Sequence, residues 1–147
     1  DRVDGGMHHS LALSSSGKSL FSFGRGDSGQ LGITEGLPGV GYFESKPMRV
    51  SLDRNANAMD DDEEDKNAPI ITQISCGAMH NLVRTSGGDV YSWGYGDMAQ
   101  LGHGKEADEF RPRKINLKKS GLEGNVKVGH IAGGGQHSVL IATRSEL

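Results

Sequence analysis

The feature that most constrains the fold of this 147-residue chain is an internal repeat. Residues Phe21–Gly32 align without a gap with Tyr91–Gly102, at a constant offset of 70 positions. Both copies contain an aromatic-Ser-aromatic-Gly-x-Gly-Asp segment and end in Gln-Leu-Gly. Self-similarity over tens of residues indicates one supersecondary unit that is used repeatedly and buries its apolar surface against neighbouring copies.

A second motif, Gly-x-x-His, occurs three times. Its copies lie at residues 5–11, 77–82 and 134–139. The first copy contains two adjacent histidines, His8 and His9, so its register is open by one residue, and a β-bulge would absorb the extra residue. We align His8 with His80 and His137. Adjacent strand residues point to opposite faces, so one histidine of the pair can serve the fold while the other is open to a partner.

Short β-branched or aromatic segments bounded by Ser and Gly predict strands at His9–Leu13, Val90–Trp93 and Val139–Ala142. The sequences of Ser15–Lys18 and Ser86–Asp89 are typical of hairpin turns. Strands that follow one another this closely predict antiparallel pairing.

Repeated small antiparallel sheets, none able to bury both faces alone, predict an all-β fold, namely part of a β-propeller with four-stranded blades. Only residues 115–122 could hold a helical turn. Glycine supplies 23 of the 147 residues, about twice its usual share, which fits many tight turns. A blade takes roughly 40–50 residues, so the chain holds fewer than three blades and cannot close a ring by itself.

We divide the chain into four segments. These are a propeller repeat at residues 1–52, an acidic surface-loop insert at 53–68, a second repeat with a connecting loop at 69–128 and a final partial repeat at 129–147. The insert contains the acidic run Asp60–Asp65 and no aromatic residue. Such a segment buries too little apolar surface to offset its ordering entropy, so we expect a mobile surface loop.

Composition excludes several classes of protein. The single cysteine, Cys76, allows neither an intrachain disulfide nor a four-thiolate zinc site, and a reducing compartment is the default. The longest aliphatic stretch, Val139–Ala142, is far shorter than the roughly 18 residues of a membrane helix, so we expect no membrane contact. The net charge of −3 gives no overall attraction to nucleic acid. Because the chain begins with Asp1, we expect an excised or cleaved piece.

The segment Gly24–Gly29 matches the glycine fingerprint of dinucleotide-binding proteins. That fingerprint requires a helix directly after it, and Gln30-Leu31-Gly32 does not support one. A small nucleotide-dependent oxidoreductase is therefore the less favoured alternative. Because the segment recurs in the second repeat, we interpret its glycines as structural turn residues; they are Gly24, Gly26, Gly94 and Gly96. The tripeptide Arg25-Gly26-Asp27 matches an adhesion motif, which we interpret as coincidental in a repeat-internal position.

The remaining residues predict no catalytic site, no metal site and no cofactor. Histidines at equivalent repeat positions lie one blade apart and cannot converge on one ion at about 2 Å. No Ser-His-Asp order, paired carboxylates or nucleophile elbow is visible. A basic stretch could be a phosphate-facing patch or an ordinary solvated loop; it comprises Arg111, Arg113, Lys114, Lys118, Lys119 and Lys127.

The order Gly-Gly-x-His-Ser, turn, aromatic-Ser-Trp/Phe-Gly-x-Gly and Gln-Leu-Gly resembles the repeat of the regulator of chromosome condensation family. The doubled histidine and the final Gly134–Ile141 segment resemble the C-terminal blades of its founding member. This resemblance implies a seven-bladed β-propeller that acts as a guanine-nucleotide exchange factor for the small GTPase Ran, without covalent chemistry. It also implies a nuclear protein bound to chromatin through histones and DNA. In that family, the positions matching His8 and His137 face Ran.

One further expectation follows from the partial ring. Missing blades or self-association must cover the open sheet edges.

The family resemblance also leaves an alternative function. The chain could belong to a structural or protein-interaction propeller without exchange activity, as occurs in large ubiquitin ligases.

Overall fold

The computed structural model describes residues 2–34, 39–53, 67–122 and 124–144. The acidic run Asp60–Asp65 and most of the predicted insert lie outside these ranges. The described residues form three antiparallel sheets. Among them, no helix has the length and apolar character needed to cross a bilayer.

Each of the first two sheets contains four strands that are adjacent in sequence order, and the third contains two. The first sheet consists of β1 (Arg2–Gly5), β2 (His9–Leu13), β3 (Leu20–Arg25) and β4 (Phe43–Val50). The second sheet consists of β5 (Ile71–Cys76), β6 (His80–Thr85), β7 (Val90–Gly94) and β8 (Glu109–Lys114). The third sheet pairs β9 (Val126–Gly133) with β10 (Ser138–Arg144).

This architecture confirms the all-β prediction of four-stranded antiparallel blades. The three predicted strands coincide with β2, β7 and β10, and a single 3₁₀ turn at Leu117–Ser120 lies where a helical turn was expected. β9 begins at Val126, inside the segment that we assigned to the second repeat.

The apolar core lies between the sheets. One cluster joins the first and second sheets and comprises Leu11, Leu13, Leu20, Val50, Ile71, Cys76, Val83 and Trp93. The other joins the second and third sheets and comprises Leu82, Val90, Ile115, Val128 and Ile131. Because each cluster takes side chains from two sheets, no sheet can bury its apolar face without a neighbour.

The structure corrects our alignment of the doubled histidine. The backbone N–H of Gly6 donates to the carbonyl of His9, as Gly77 donates to His80 and Gly134 to His137. The equivalent of His80 and His137 is therefore His9, and His8 lies in the bend before β2.

The expected bulge at the doubled histidine is also wrong, because β1 pairs with β2 without a register shift. The additional residue lies in the next hairpin. There the closing backbone hydrogen bond joins Ser14 to Ser19 in the first sheet, whereas it joins Thr85 to Asp89 in the second.

Gly24, one residue before the end of β3, and Gly94, the last residue of β7, have φ angles of 102° and 107°. A Cβ atom would lie 2.5 Å from the His8 carbonyl oxygen at Gly24 and 2.6 Å from the Met79 carbonyl oxygen at Gly94. Both the backbone conformation and the space at these positions therefore require glycine.

Gly26 and Gly96 are short of space. A Cβ atom at Gly26 would lie 2.7 Å from the Leu31 side chain, and one at Gly96 would overlap the Ala107 carbonyl group. These two glycines let the turns after β3 and β7 fold closely against the chain that follows each of them.

Ala99 has a φ angle of 56°, and its counterpart in the first repeat is Gly29 at 77°. The left-handed conformation costs a non-glycine residue about 1–2 kcal/mol. We expect Ala99→Gly to raise the free energy of unfolding by about 0.5–1 kcal/mol, because part of the relief is offset by glycine's greater freedom in the unfolded chain. Urea denaturation measures the change.

Gly29→Ala is the matched control. Its Cβ would lie 2.7 Å from the Glu109 carbonyl oxygen, so this variant should lower stability by more than the conformational cost alone. A destabilised Ala99→Gly variant would contradict the strain assigned to Ala99.

Candidate functional site

A histidine side chain joins each sheet to the next. His9 Nε2 lies 2.8 Å from Asn81 Oδ1, and His80 Nε2 lies 3.0 Å from Ser138 Oγ. In both cases the acceptor directly follows the equivalent histidine of the neighbouring sheet. The two junctions are thus built on the same contact.

The acceptors of these two bonds are themselves held in place. Asn81 Nδ2 donates to the Gln30 carbonyl at 2.6 Å, and Ser138 Oγ donates to the Gln100 carbonyl at 2.7 Å. Because the Ser138 proton is used in this bond, its oxygen must accept from His80. Nε2 of His80 therefore carries a proton.

Two backbone contacts also recur at both junctions. Cys76 N–H donates to Asp4 Oδ2 at 2.8 Å, as Gly133 N–H donates to Ser75 Oγ at 2.9 Å. The β2–β3 and β6–β7 hairpins each accept one bond from the next sheet, Ile71 to Gly17 at 2.8 Å and Val128 to Gly88 at 3.2 Å. We call these recurring polar contacts, together with the histidine bonds, the inter-sheet belt.

The Gly-x-x-His spacing follows from the position of the imidazole ring. A Cβ atom at Gly6 would lie 2.7 Å from His9 Nδ1, and one at Gly77 or Gly134 would overlap the ring of the histidine three residues later. Glycine at this position is therefore required by the space that the histidine occupies.

Burial of the belt histidines lowers their pKa. His9 is 3% exposed and His80 is fully buried, and the Nδ1 atom of each has no hydrogen-bond partner among the described residues. Desolvation lowers the pKa of His80 from 6.5 to about 4, and nearby His9 and His137 act in the same direction. Desolvation also lowers the pKa of His9.

His137 occupies the same repeat position as His9 and His80, yet it is exposed. Its strand pair, β9 and β10, forms the last sheet of the described chain. In the part that the structure describes, no hydrogen bond links His137 with His8.

The loops before β2, β6 and β10 are joined to one another by backbone hydrogen bonds. Met7 N–H donates to the Ala78 carbonyl at 2.8 Å, and Ala78 N–H donates to the Gly134 carbonyl at 3.1 Å. The turn after each third strand lies against these loops, since Arg25 N–H donates to His8 at 2.8 Å and Tyr95 N–H donates to Met79 at 2.9 Å. We call this surface the loop face; it comprises residues 6–8, 25–28, 77–79, 95–98 and 134–137.

The loop face carries both histidines that the sequence analysis singled out. His8 is exposed there, which agrees with the expectation that one histidine of the pair serves the fold while the other is open to solvent. Met7 and Met98, which are 63% and 55% exposed, also lie on this face. A shallow groove of about 370 Å³ runs along it, lined mainly by glycine backbone between Gly5 and Gly135.

Other polar groups in the structure are bound within the fold. Ser92 Oγ lies 2.9 Å from His103 Nε2, but its proton is donated to the Leu101 carbonyl at 2.6 Å. Ser22 makes the same bond to Leu31 at 2.7 Å, so the contact belongs to the repeat and presents no nucleophile. Among the described residues, no group of three or more His, Cys, Asp or Glu side chains could hold a metal ion.

The dinucleotide-binding alternative lacks its required geometry. Residues 30–32 form a turn and a bend after Gly29, and residues 33–34 have no regular structure, where the fingerprint needs a helix. All strand pairs of the described sheets are antiparallel. The basic stretch is partly neutralised, since Arg113 pairs with Glu109 at 2.6 Å and Lys114 with Asp89 at 2.8 Å.

Sequence comparison finds the same repeat in known proteins. The family model of the regulator of chromosome condensation (RCC1) repeat matches residues 19–84 and 87–141, and a second model of this repeat matches residues 71–100. The chain is 32% identical over 142 residues to the regulator of chromosome condensation of Homo sapiens, covering 97% of this chain and 28% of that protein. It is 34% identical over 146 residues to the probable E3 ubiquitin-protein ligase HERC3 of Homo sapiens, covering 99% of this chain and 12% of that protein.

Structural comparison finds a similar arrangement of sheets in the crystal structure of Prp20p from Saccharomyces cerevisiae. The TM-score is 0.76 at 26% identity, over 99% of this chain and 31% of Prp20p. Human WBSCR16 shares the fold, with a TM-score of 0.68 at 21% identity over 97% of this chain and 31% of that one. The chain thus spans less than a third of the proteins that it resembles.

The lowered pKa of His80 predicts that stability falls in mild acid. In the unfolded chain this histidine takes up a proton near pH 6.5, whereas in the fold it stays neutral down to about pH 4. The unfolded state therefore binds more protons across that window, and a few kcal/mol of stability should be lost as the pH falls through it. Urea denaturation at pH 7, 6, 5 and 4 measures the loss.

His80→Gln supplies the control, because the amide keeps a donor near the Nε2 position but does not titrate. This variant should lose less stability than the wild type between pH 6.5 and pH 4. Equal losses in the two proteins would contradict the assignment to His80.

Proposed function

Because the chain belongs to the regulator of chromosome condensation (RCC1) repeat family, we propose that it forms the C-terminal portion of a guanine-nucleotide exchange factor for the small GTPase Ran. The observation that carries this proposal is the 32% identity to the human regulator over 97% of the chain. Prp20p was described with its binding properties to Gsp1p (Ran) and histones. Since the chain spans 28% of the human relative, exchange is proposed for the whole protein and not for these residues alone.

The family and the propeller fold predicted from the sequence are confirmed. We propose that the two four-stranded sheets are two blades of a seven-bladed ring and that the third sheet belongs to another. Further blades, or other copies of the chain, would then cover the open faces of the first and third sheets.

Nucleotide exchange needs no covalent chemistry from the exchange factor. A GTPase that holds its nucleotide at picomolar affinity has a binding free energy of about −16 kcal/mol. A factor that prefers the nucleotide-free form weakens nucleotide binding, and by linkage returning nucleotide weakens the factor equally. Such a factor needs a broad, rigid surface. The loop face, fixed from beneath by the inter-sheet belt, is a surface of this kind.

We propose that His8 contacts the GTPase directly. It is exposed on the loop face. Because the adjacent His9 already makes the inter-sheet hydrogen bond, the fold does not need His8 for that bond. Its ring would orient the partner through hydrogen bonds and would not react.

We propose that His137 also faces the GTPase, as the family resemblance implies. Its repeat position is that of the belt histidines, so its contact with the partner competes with a second role, donation to a following blade. The first role predicts an effect on exchange, and the second predicts an effect on stability of the complete ring.

The proposed location is the nucleus, on chromatin, with histones and DNA as partners of the whole protein. The description of Prp20p with its binding to histones supports this. The chain carries a net charge of −3, so contact with DNA would depend on local basic residues or on other parts of the protein.

A second candidate function is a protein-interaction propeller without exchange activity. The 34% identity to HERC3 over 99% of the chain favours it. The two candidates differ in one measurable property, which is release of labelled GDP from Ran by the full-length protein.

We expect the full-length protein that carries this chain to accelerate release of fluorescent GDP from Ran in stopped-flow measurements. His8→Ala should weaken exchange about tenfold, because it removes a contact with the partner, and His8→Ala with His137→Ala should weaken it further. Thermal melting of each variant separates a binding effect from a folding effect.

Asn125→Ala, near the opposite end of the third sheet, is a suitable control and should leave exchange unchanged. A full-length protein that leaves GDP release unaccelerated would favour the interaction propeller. If the full-length protein accelerates GDP release and the double variant does so equally, the roles proposed for His8 and His137 are contradicted, whereas the proposed exchange activity is not.

A further inference from the structure

Arg25 is a charged residue of the loop face that the proposed function does not yet use. It ends β3, and its backbone N–H is bonded to the His8 carbonyl at 2.8 Å. Its side chain is 45% exposed. Its backbone therefore lies against that of His8, the residue that follows Met7.

The guanidinium group of Arg25 is held in a fixed orientation by Asp27. Arg25 Nε lies 2.8 and 2.9 Å from the two carboxylate oxygens, and Nη2 lies 2.7 Å from Oδ2. Asp27 is only 13% exposed and also accepts a backbone hydrogen bond from Gly41. A carboxylate anchored in the fold thus positions an arginine at the surface.

This arrangement leaves part of the guanidinium open to a partner. Nε and one side of Nη2 are used by Asp27, and Nη1 makes no hydrogen bond within the described part of the chain. The planar guanidinium can donate its remaining N–H groups to a second carboxylate. It would do so through two parallel hydrogen bonds, a geometry that a lysine cannot reproduce.

The pair is not a general feature of the repeat. At the equivalent positions of the second sheet stand Tyr95 and Asp97, and that turn is instead fixed by Gly96 N–H donating to Asp108 at 2.9 Å. The loop face therefore carries an arginine paired with an aspartate in the first sheet, and an aspartate without that arginine in the second. The turn can form without the arginine, so its geometry does not explain why an arginine stands at this position.

We propose that Arg25, positioned by Asp27, binds a carboxylate on the surface of the GTPase and so sets which partner the loop face accepts. This inference rests on the proposed function. Met7, which is 63% exposed on the same loop face, would supply apolar contact area. Methionine and arginine are enriched at protein interfaces, and arginine is frequent among residues that dominate binding energy.

The experiment is binding of the full-length protein that carries this chain to nucleotide-free Ran, measured by titration calorimetry at two salt concentrations. Arg25→Ala should raise the Kd at least tenfold and make it less dependent on salt. Arg25→Lys keeps the charge but loses the two-point geometry, so it should recover little of the affinity. Asp27→Asn should weaken binding severalfold, because Arg25 is then no longer held.

Lys18→Ala is the matched control, since it removes one positive charge from the β2–β3 hairpin, at the other end of the first sheet. It should leave the Kd unchanged. Exposed ion pairs contribute little to stability, so Arg25→Ala should melt like the wild type. If Arg25→Ala is destabilised, the Kd of Arg25→Lys tests the role of the guanidinium group instead.

The outcomes separate this inference from the proposed function. Wild-type full-length protein that does not bind nucleotide-free Ran overturns both. Wild-type full-length protein that binds, with the Kd of Arg25→Ala and Arg25→Lys equal to that of Lys18→Ala, overturns the role of Arg25 and leaves the proposed function standing.

Discussion

The structure depends on a neutral histidine that donates a hydrogen bond from one sheet to the next. His9 and His80 make this bond, and each packs so closely over its own turn that only glycine fits beneath the ring. Both apolar clusters lie between sheets, so the same junctions that carry the histidines also carry the core. A protonated ring would place a charge among buried groups without a partner, which is why burial lowers the pKa of His80 to about 4.

The belt also fixes the loop face. It holds three loops in a row, joined by backbone hydrogen bonds from Met7 to Ala78 and from Ala78 to Gly134. The side chains above that row are then presented on a rigid support. Two adjacent residues have different positions: His9 is buried in the junction between sheets, and His8 is exposed on the loop face.

Sequence reasoning predicted the repeat, the antiparallel sheets and the glycine turns, because these follow from local pattern. It placed the first Gly-x-x-His motif one residue too early. The reason is that the additional residue lies in the hairpin between β2 and β3, so the offset between the repeats changes by one within the unit. It interpreted Arg25-Gly26-Asp27 as a coincidental match to an adhesion motif, which nothing in the structure contradicts, and it did not single out Arg25 by itself. The repeat alignment shows which residues recur, whereas Arg25 stands out by being absent from the second copy.

The amino-acid sequence by itself determined the kind of unit, its number of copies and the family to which the chain belongs, because strand periodicity and turn residues act over a few positions. The tertiary structure alone decided which histidine of the doubled pair enters the junction, which stays exposed and where the charged side chains meet. Those outcomes depend on contacts between residues some 70 positions apart, such as His9 with Asn81, and such contacts exist only once the sheets have stacked.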